Sequence, residues 1–272
     1  MKQVSEKEQR EIQLQLVKFI DEICRTNDIE YSLAGGSLLG AIRHGGYIPW
    51  DDDIDLMLTR PNYNKLMTLL LEKQTNDMDL KYYKADPIYL PFAKLCDTHT
   101  IGASKTDLYS KNFGVNIDIF PIDVLPGDKK VRENFKKMIN KKSFQLLASN
   151  PTGLEYASAS RPLYFIGKLI LWLPYHIQKS GKYKKVALEM ETLMQKYNES
   201  ENKYKGYVCS FYPNEYVPTE VFDDYEEIKF EEFNFKKIKD HNAYLSQLYG
   251  DYMKLPPENK RVNHGYTKFY WK

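Results

Sequence analysis

The chain has 272 residues, with 39 Lys and Arg against 37 Asp and Glu and a formal net charge of +2. That length can bury a sizeable core, as one compact enzyme or as a catalytic core with an accessory portion. So even a charge balance excludes the overall basic excess of a nucleic-acid binder, and no nucleic-acid partner is expected.

Residues 6–26 open the chain as a helix, with Ile12, Leu16, Phe19, Ile20 and Ile23 on one apolar stripe. The polar residues 1–10 contain no apolar signal core, and Cys24, Cys96 and Cys209 have no metal-like spacing; both features predict a cytoplasmic protein with reduced thiols. Residues 30–33 read as a short strand and residues 37–43 as a short helix stopped by Gly45-Gly46. Between them lies Gly35-Gly36-Ser37. A strand, a glycine turn and a helix start present backbone N–H groups and a positive dipole end to a phosphate. Arg43, about two turns into the helix, reads either as a further phosphate contact or as a surface cation.

The run Ile48-Pro49-Trp50-Asp51-Asp52-Asp53-Ile54-Asp55-Leu56-Met57-Leu58 follows. Read as a strand, it points Asp51, Asp53 and Asp55 one way and Ile54, Leu56 and Leu58 into the core. Asp53 and Asp55 then lie roughly 7 Å apart at their Cα atoms, close enough to share one hard divalent cation or bracket two. Mg²⁺ is the expected cofactor, with Mn²⁺ the alternative. The competing reading, an acidic loop on a solvated surface, is weakened by the interleaved apolar residues and the preceding glycine turn.

A third acid comes from residues 113–123, where Val115, Ile117 and Ile119 alternate with Asn116 and Asp118. Asp118 is the expected third ligand. Pro121 is expected to end this strand and leave Asp123, the reserve ligand, on a loop. Helices are expected over 131–149 and 186–197, and a helix capped by Asp240 runs to Tyr249 and stops at Gly250. Residues 161–177 are apolar but interrupted by Lys168 and Pro174, too short to span a bilayer. With Tyr164, Trp172 and Tyr175 in the segment and Lys179, Lys182, Lys184 and Lys185 after it, it reads as a membrane-surface helix or as a buried helix followed by a basic turn. The expected organisation is a catalytic core over 1–126, a helical accessory region over 127–200 and a C-terminal region over 201–272 that folds back toward the site.

The run from Leu33 through Gly35-Gly36-Ser37 and Ile48-Pro49-Trp50-Asp51-Asp52-Asp53-Ile54-Asp55 to Leu56 resembles the signature of the LicD family of phosphocholine transferases. That family is similar to fukutin-type phosphotransferases within the nucleotidyltransferase superfamily. The resemblance extends to residues 91–97, 117–123, 249–257 and 261–264. It implies an α/β (α+β) fold with a polymerase β-like core, a mixed sheet flanked by helices. It also implies transfer of phosphocholine from CDP-choline to a sugar hydroxyl of a lipid-linked glycan, a teichoic acid or lipopolysaccharide precursor, with release of CMP at the inner face of the cytoplasmic membrane. Asp53, Asp55 and Asp118 map onto the superfamily's three metal-binding carboxylates, with Asp118 the candidate base. Trp50 is the leading aromatic face for the choline head, Lys94 a contact for the donor pyrophosphate, and His264 a residue that folds back to phosphate or acceptor. Other readings stay open: a ribitol or glycerol phosphate donor, nucleotidyl transfer to a small acceptor, or a non-catalytic module that assists a transferase.

Overall fold

The computed structural model describes residues 1–73, 75–85, 90–104, 113–149, 157, 159, 162–210, 212, 214–261 and 267–272. The protein is a mixed α/β structure built on a seven-stranded sheet with helices packed against it.

Helix α1 (Glu6–Thr26) starts at a capping box in which the Ser5 hydroxyl accepts from the Glu8 N–H while the Glu8 carboxylate accepts from Ser5. Its stripe buries Leu16, Val17, Ile20 and Ile23, while Ile12 and Phe19 pack at the margin of the core. Strand β1 (Ser32–Leu33) leads into helix α2 (Gly35–His44), which ends at Gly45 in the left-handed region with φ +72°. The glycine pair is thus the first turn of the helix rather than a linker before it. Strand β2 (Asp55–Thr59) pairs antiparallel with β1. It starts later than the acidic run suggested: Asp51 and Asp53 lie in irregular chain ahead of the strand, and Met57 is buried along with Leu56 and Leu58. A strand covered on both faces cannot alternate polar and apolar residues along its length. Helix α3 (Arg60–Glu72) follows directly.

Strands β3 (Met78–Lys81), β4 (Ala93–Asp97) and β6 (Asn116–Leu125) complete the central order β1-β2-β6-β4-β3, and β2 runs parallel to β6. Strand β5 (Thr100–Ala103) instead pairs with β11 (Lys268–Trp271). Pro121 does not end β6. The Asp118 N–H donates toward β2, to Ile54 O, so the odd-numbered residues face the other neighbour. On that side β4 stops pairing at Ile119 and β7 (Tyr204–Gly206) begins at Asp123. The N–H that proline lacks falls in the gap between the two partners, so the strand runs through it. Asp123 is therefore in the strand and buried. The Arg60 guanidinium donates to both its oxygens (Nε to Oδ1, 2.8 Å) and also to Glu191, while Asn198 Nδ2 donates to Asp123 Oδ1 at 2.7 Å. Asp123 is thus a structural acid joining α3, β6 and α7 (Tyr183–Met194), not a ligand in reserve.

Helix α4 (Lys129–Ala148) is capped by the Asp128 carboxylate, which accepts from Val131 N at 2.9 Å. The apolar segment after it forms two helices, α5 (Pro162–Leu171) and α6 (Leu173–Lys179), rather than one. Pro174 has no N–H and would clash with the carbonyl four residues back, so the helix must restart there. Neither piece buries a residue, which removes the buried-helix reading. Beyond β8 (Val217–Pro218), which extends the sheet from β7, the hairpin β9 (Tyr225–Phe230) and β10 (Phe233–Ile238) precedes α8 (His241–Tyr249). Helix α8 is capped by Asp240 and stopped by Gly250, as the sequence predicts.

Candidate active site

The parallel register of β2 and β6 pairs Asp55 with Asp118, and the antiparallel register of β6 and β4 pairs Asp118 with Lys94. Partners in register share a face, with neighbouring strands about 4.8 Å apart, so Asp55, Asp118 and Lys94 form one transverse row across three strands. Their flanking residues Leu56, Ile117, Ile119 and Leu95 are buried on the opposite face. Lys94 Nζ forms an ion pair with Asp118 Oδ1 and donates to Asn116 Oδ1 at 3.1 Å. Its ammonium also faces two aromatic rings, with Nζ 5.4 Å from the Phe92 centroid and 5.7 Å from that of Phe113.

Helix α2 begins beside this row. Gly35 has φ +48°, a conformation costly for any residue with a Cβ. A Cβ built on Gly36 would lie 2.6 Å from Asp51 Oδ2, so that carboxylate stands directly over the first turn. Ala34, the N-cap, supplies no side-chain acceptor. The Ser37 hydroxyl is buried and accepts the Asp55 N–H at 2.9 Å, while Ala34 N donates to Asp55 O at 2.8 Å. Helix start and acid strand are thus locked together by the backbone of Asp55.

Contacts from α1 hold the acidic run in place. Gln9 Nε2 and Gln13 Nε2 both donate to Asp52 O, at 2.8 and 2.9 Å, and Arg10 Nη2 donates to Asp51 O at 3.2 Å. The polar residues of an amphipathic helix gave no sign of this role in the sequence. Nor did the aromatic wall contributed by the C-terminal third of the chain. Tyr244 Oη accepts from Gly35 N at 3.4 Å and donates to Glu215 Oε1 at 3.0 Å. Tyr249 Oη and Asp55 Oδ2 approach the same point, 3.6 and 3.7 Å from a Cβ built on Gly35. Tyr212 meets the Tyr249 ring edge-on at 5.9 Å. Residues 249–253 carried part of the family resemblance, but nothing in their pattern singled out Tyr249 as a site residue.

Electrostatics follow from crowding acids around one lysine. Enclosure by protein, then the charges of Asp51 and Asp118, push the Asp53 carboxyl up to about 7, and it shares a hydrogen bond with Asp51. Asp53 is nevertheless solvent-exposed. The two observations agree if the acid sits in a concave site, surrounded on most sides and open on one, where the opening tempers the repulsion. Burial, then Asp53 and Asp118, raise the Asp55 carboxyl well above the usual carboxylate range. Burial and the Asp52 charge raise Asp51. Burial works against the Lys94 ammonium, but Asp118 more than offsets it, so Lys94 stays charged.

The remaining expected residues lie elsewhere. Arg43 is at the far end of α2, about 12 Å from Gly35 along the helix axis, and its Nη1 donates to Tyr252 O at 2.7 Å. Trp50 is half-buried, with His44 edge-on at 6.2 Å and the Arg261 guanidinium 5.4 Å from its ring centroid. Burial and the nearby Arg261 charge lower the Arg43 pKa. The structure therefore brings together Gly35, Gly36, Ser37, Asp53, Asp55, Asp118 and Lys94, and gathers Arg43, Trp50 and Arg261 in a second, cationic group. His264 lies outside the described residues. Among the described residues, no three of His, Cys, Asp or Glu stand ready-made as a metal cage. Asp118 is committed to Lys94, and Asp53 to Asp51.

A helix start without a side-chain cap, facing carboxylates and a lysine on adjacent strands, defines an α/β protein with a candidate phosphate-handling site. Residues 28–149 match the family described as LicD/FKTN/FKRP, nucleotidyltransferase domain, and the chain carries a LicD-family domain over that span. The whole chain is similar to the lipopolysaccharide cholinephosphotransferase LicD of Haemophilus influenzae, 28% identical over 277 residues that cover 99% of each protein. The ribitol 5-phosphate transferase FKRP of human and of mouse is 49% identical over 39 residues, which span 14% of this chain and 8% of theirs.

Proposed function

We propose that the chain transfers a phosphorylated alcohol, in first place phosphocholine from CDP-choline, to a sugar hydroxyl of a cell-surface glycan precursor of the lipopolysaccharide or teichoic acid kind. The sheet then serves as a nucleotidyltransferase-type core. The observation that carries this reading is the row Asp55, Asp118 and Lys94 set against the start of α2. Similarity over the full length to a lipopolysaccharide cholinephosphotransferase supports the donor and acceptor classes.

In this reading the N–H groups of the first α2 turn hold the transferred phosphoryl group, and the Lys94 ammonium lies beside the charge that develops on its oxygens. The acceptor oxygen bonds to the phosphorus, the bond to the bridging oxygen breaks and CMP departs with that oxygen. The hydroxyl proton passes to a carboxylate, for which Asp118 is the candidate once Lys94 has turned to the phosphate. Several oxygen donors with raised pKa values make a donor set suited to a hard divalent cation. Asp53, Asp55 and Asp118 would hold Mg²⁺ or Mn²⁺, which supplies charge neutralisation for the pyrophosphate.

A second reading, a polyol phosphate such as ribitol phosphate, is favoured by one observation. Arg261 already lies over the Trp50 ring, so that face does not offer itself to a quaternary ammonium. Calorimetry with Mg²⁺ separates the cases. Selective binding of CDP-choline over CDP-ribitol, CDP-glycerol, CTP and ATP supports phosphocholine transfer. Preference for another CDP-alcohol keeps the chemistry and changes the substrate. Preference for a triphosphate points to nucleotidyl transfer, and binding of none of them to a non-catalytic partner module.

A further inference from the structure

Among the described residues, a cluster of exposed apolar side chains lies far from the acid row in the sequence, on α5, α6 and the adjoining side of α4. Leu163, Ile170 and Leu171 are 80%, 67% and 77% exposed, and Ile166, Leu173 and Ile177 are exposed as well. This layer is joined to α4. Trp172 packs edge-on against Phe144 of α4 at 5.0 Å, and His176 Nδ1 lies 2.9 Å from Ala148 O. Between the helices lies an open cleft of about 520 Å³, lined by Phe144, Leu171, Trp172 and Tyr175 with Lys137 and Lys141 at its rim.

Positive charge prevails on this side, where Glu189 is ion-paired to Lys142 at 2.8 Å and lies close to Lys179 and Lys185. Residues 157–188 contain no Asp or Glu, and the described residues among them include Lys168, Lys179, Lys182, Lys184 and Lys185. Lys168 Nζ lies 5.9 Å from the Trp172 ring centroid and Lys179 Nζ 5.9 Å from that of Tyr175, so the cations stand at the edge of the apolar face.

From this juxtaposition we infer that α5, α6 and the cleft against α4 form a docking surface for an anionic phospholipid bilayer, lying in the interface rather than crossing it. Apolar side chains at this density, rimmed by lysine and aromatic rings, match what a headgroup region with a hydrocarbon floor and negative potential accepts. Among the described residues no helix is long and apolar enough to cross a membrane. A second copy of the chain is a poor occupant, because a two-fold interface sets the same lysines against each other. The cleft takes acyl carbon against Phe144 and Trp172 while Lys137 and Lys141 meet lipid phosphate.

The test is co-sedimentation of the full chain with vesicles of phosphatidylcholine alone or with added phosphatidylglycerol, for the wild type, Leu171→Asp and Lys137→Glu/Lys141→Glu. Both variants change exposed residues, so circular dichroism and melting should match the wild type. The expected result is binding only to the vesicles with phosphatidylglycerol, weakened by salt, by roughly fivefold per lysine removed, and by Leu171→Asp. CDP-choline titration without vesicles should be unchanged by either variant, which separates this inference from the transfer reading. No binding to either vesicle, or equal binding by wild type and folded variants, would overturn it, as would a concentration-dependent dimer abolished by Leu171→Asp.

Discussion

The acid site and the α4–α6 face treat their side chains in opposite ways. Around Asp55 the chain is held by several elements: Ser37 and Ala34 bind its backbone, strand register sets it beside Asp118, and α1 holds the Asp52 carbonyl just upstream. On α5 no residue is buried. The first region spends burial on holding like charges together, which is unfavourable unless a ligand compensates them. The second leaves apolar area in water, which is unfavourable unless a surface covers it. Each region thus calls for compensation, for which a cation with a phosphate is proposed in one case and an anionic lipid surface in the other.

The sharpest way to break this contrast is at the row itself. Asp55→Asn or Asp118→Asn should lower turnover by about a thousandfold or more, Asp55→Asn with the melting temperature kept or raised because a repelled charge has gone, and Asp118→Asn with it lowered because Lys94 loses its carboxylate partner. Asp52→Asn should cost far less, because its main-chain oxygen is what binds Gln9 and Gln13. Equal losses at Asp52 and Asp55 in a steady-state assay of CMP release would refute the arrangement.

Next in size is the buried ion cluster that ties the helical layer to the sheet. Arg60→Ala leaves Asp123 and Glu191 without their guanidinium, and should cost about 3–5 kcal/mol in chemical denaturation. A loss near zero would mean that the cluster is not what joins α7 to β6.

The smallest effect is on pH. The Asp53 carboxyl, raised to about 7 in the folded chain from its ordinary 3.8, binds more protons folded than unfolded between those values. Its contribution to stability is therefore favourable at low pH and lost as pH rises from about 4 through 7. Without divalent metal, Asp53→Asn should melt higher than the wild type at pH 8 and alike at pH 4, and Mg²⁺ should narrow the gap at pH 8. A gap that persists at pH 4 would assign the effect to packing.

Much of the fold was legible because its signals are local. The Asp240 cap, the Gly45 and Gly250 stops and the alternation through Ile117, Asp118 and Ile119 each act within a few residues. What stayed hidden depends on partners distant in sequence. Pro121 inside β6 makes sense only once β4 and β7 are seen to leave a gap there, and Asp123 only once Arg60 is opposite. The same holds at the site: Asp53, Asp55 and Asp118 stand out as acids among apolar residues, whereas Gln9, Gln13, Tyr244 and Tyr249 are ordinary helix residues until the chain folds. Arg43 looked adjacent to the cradle because it shares a helix with it, but the length of that helix carries it away.

In the proposed function the acid row and the start of α2 form one donor site. Calorimetric titration of CDP-choline into the wild type and Asp118→Asn, each with and without Mg²⁺, tests it most directly. Metal-dependent binding by the wild type should be lost or strongly weakened in the variant, while both melt as folded proteins. Equal binding by the two proteins, indifferent to Mg²⁺, would contradict it.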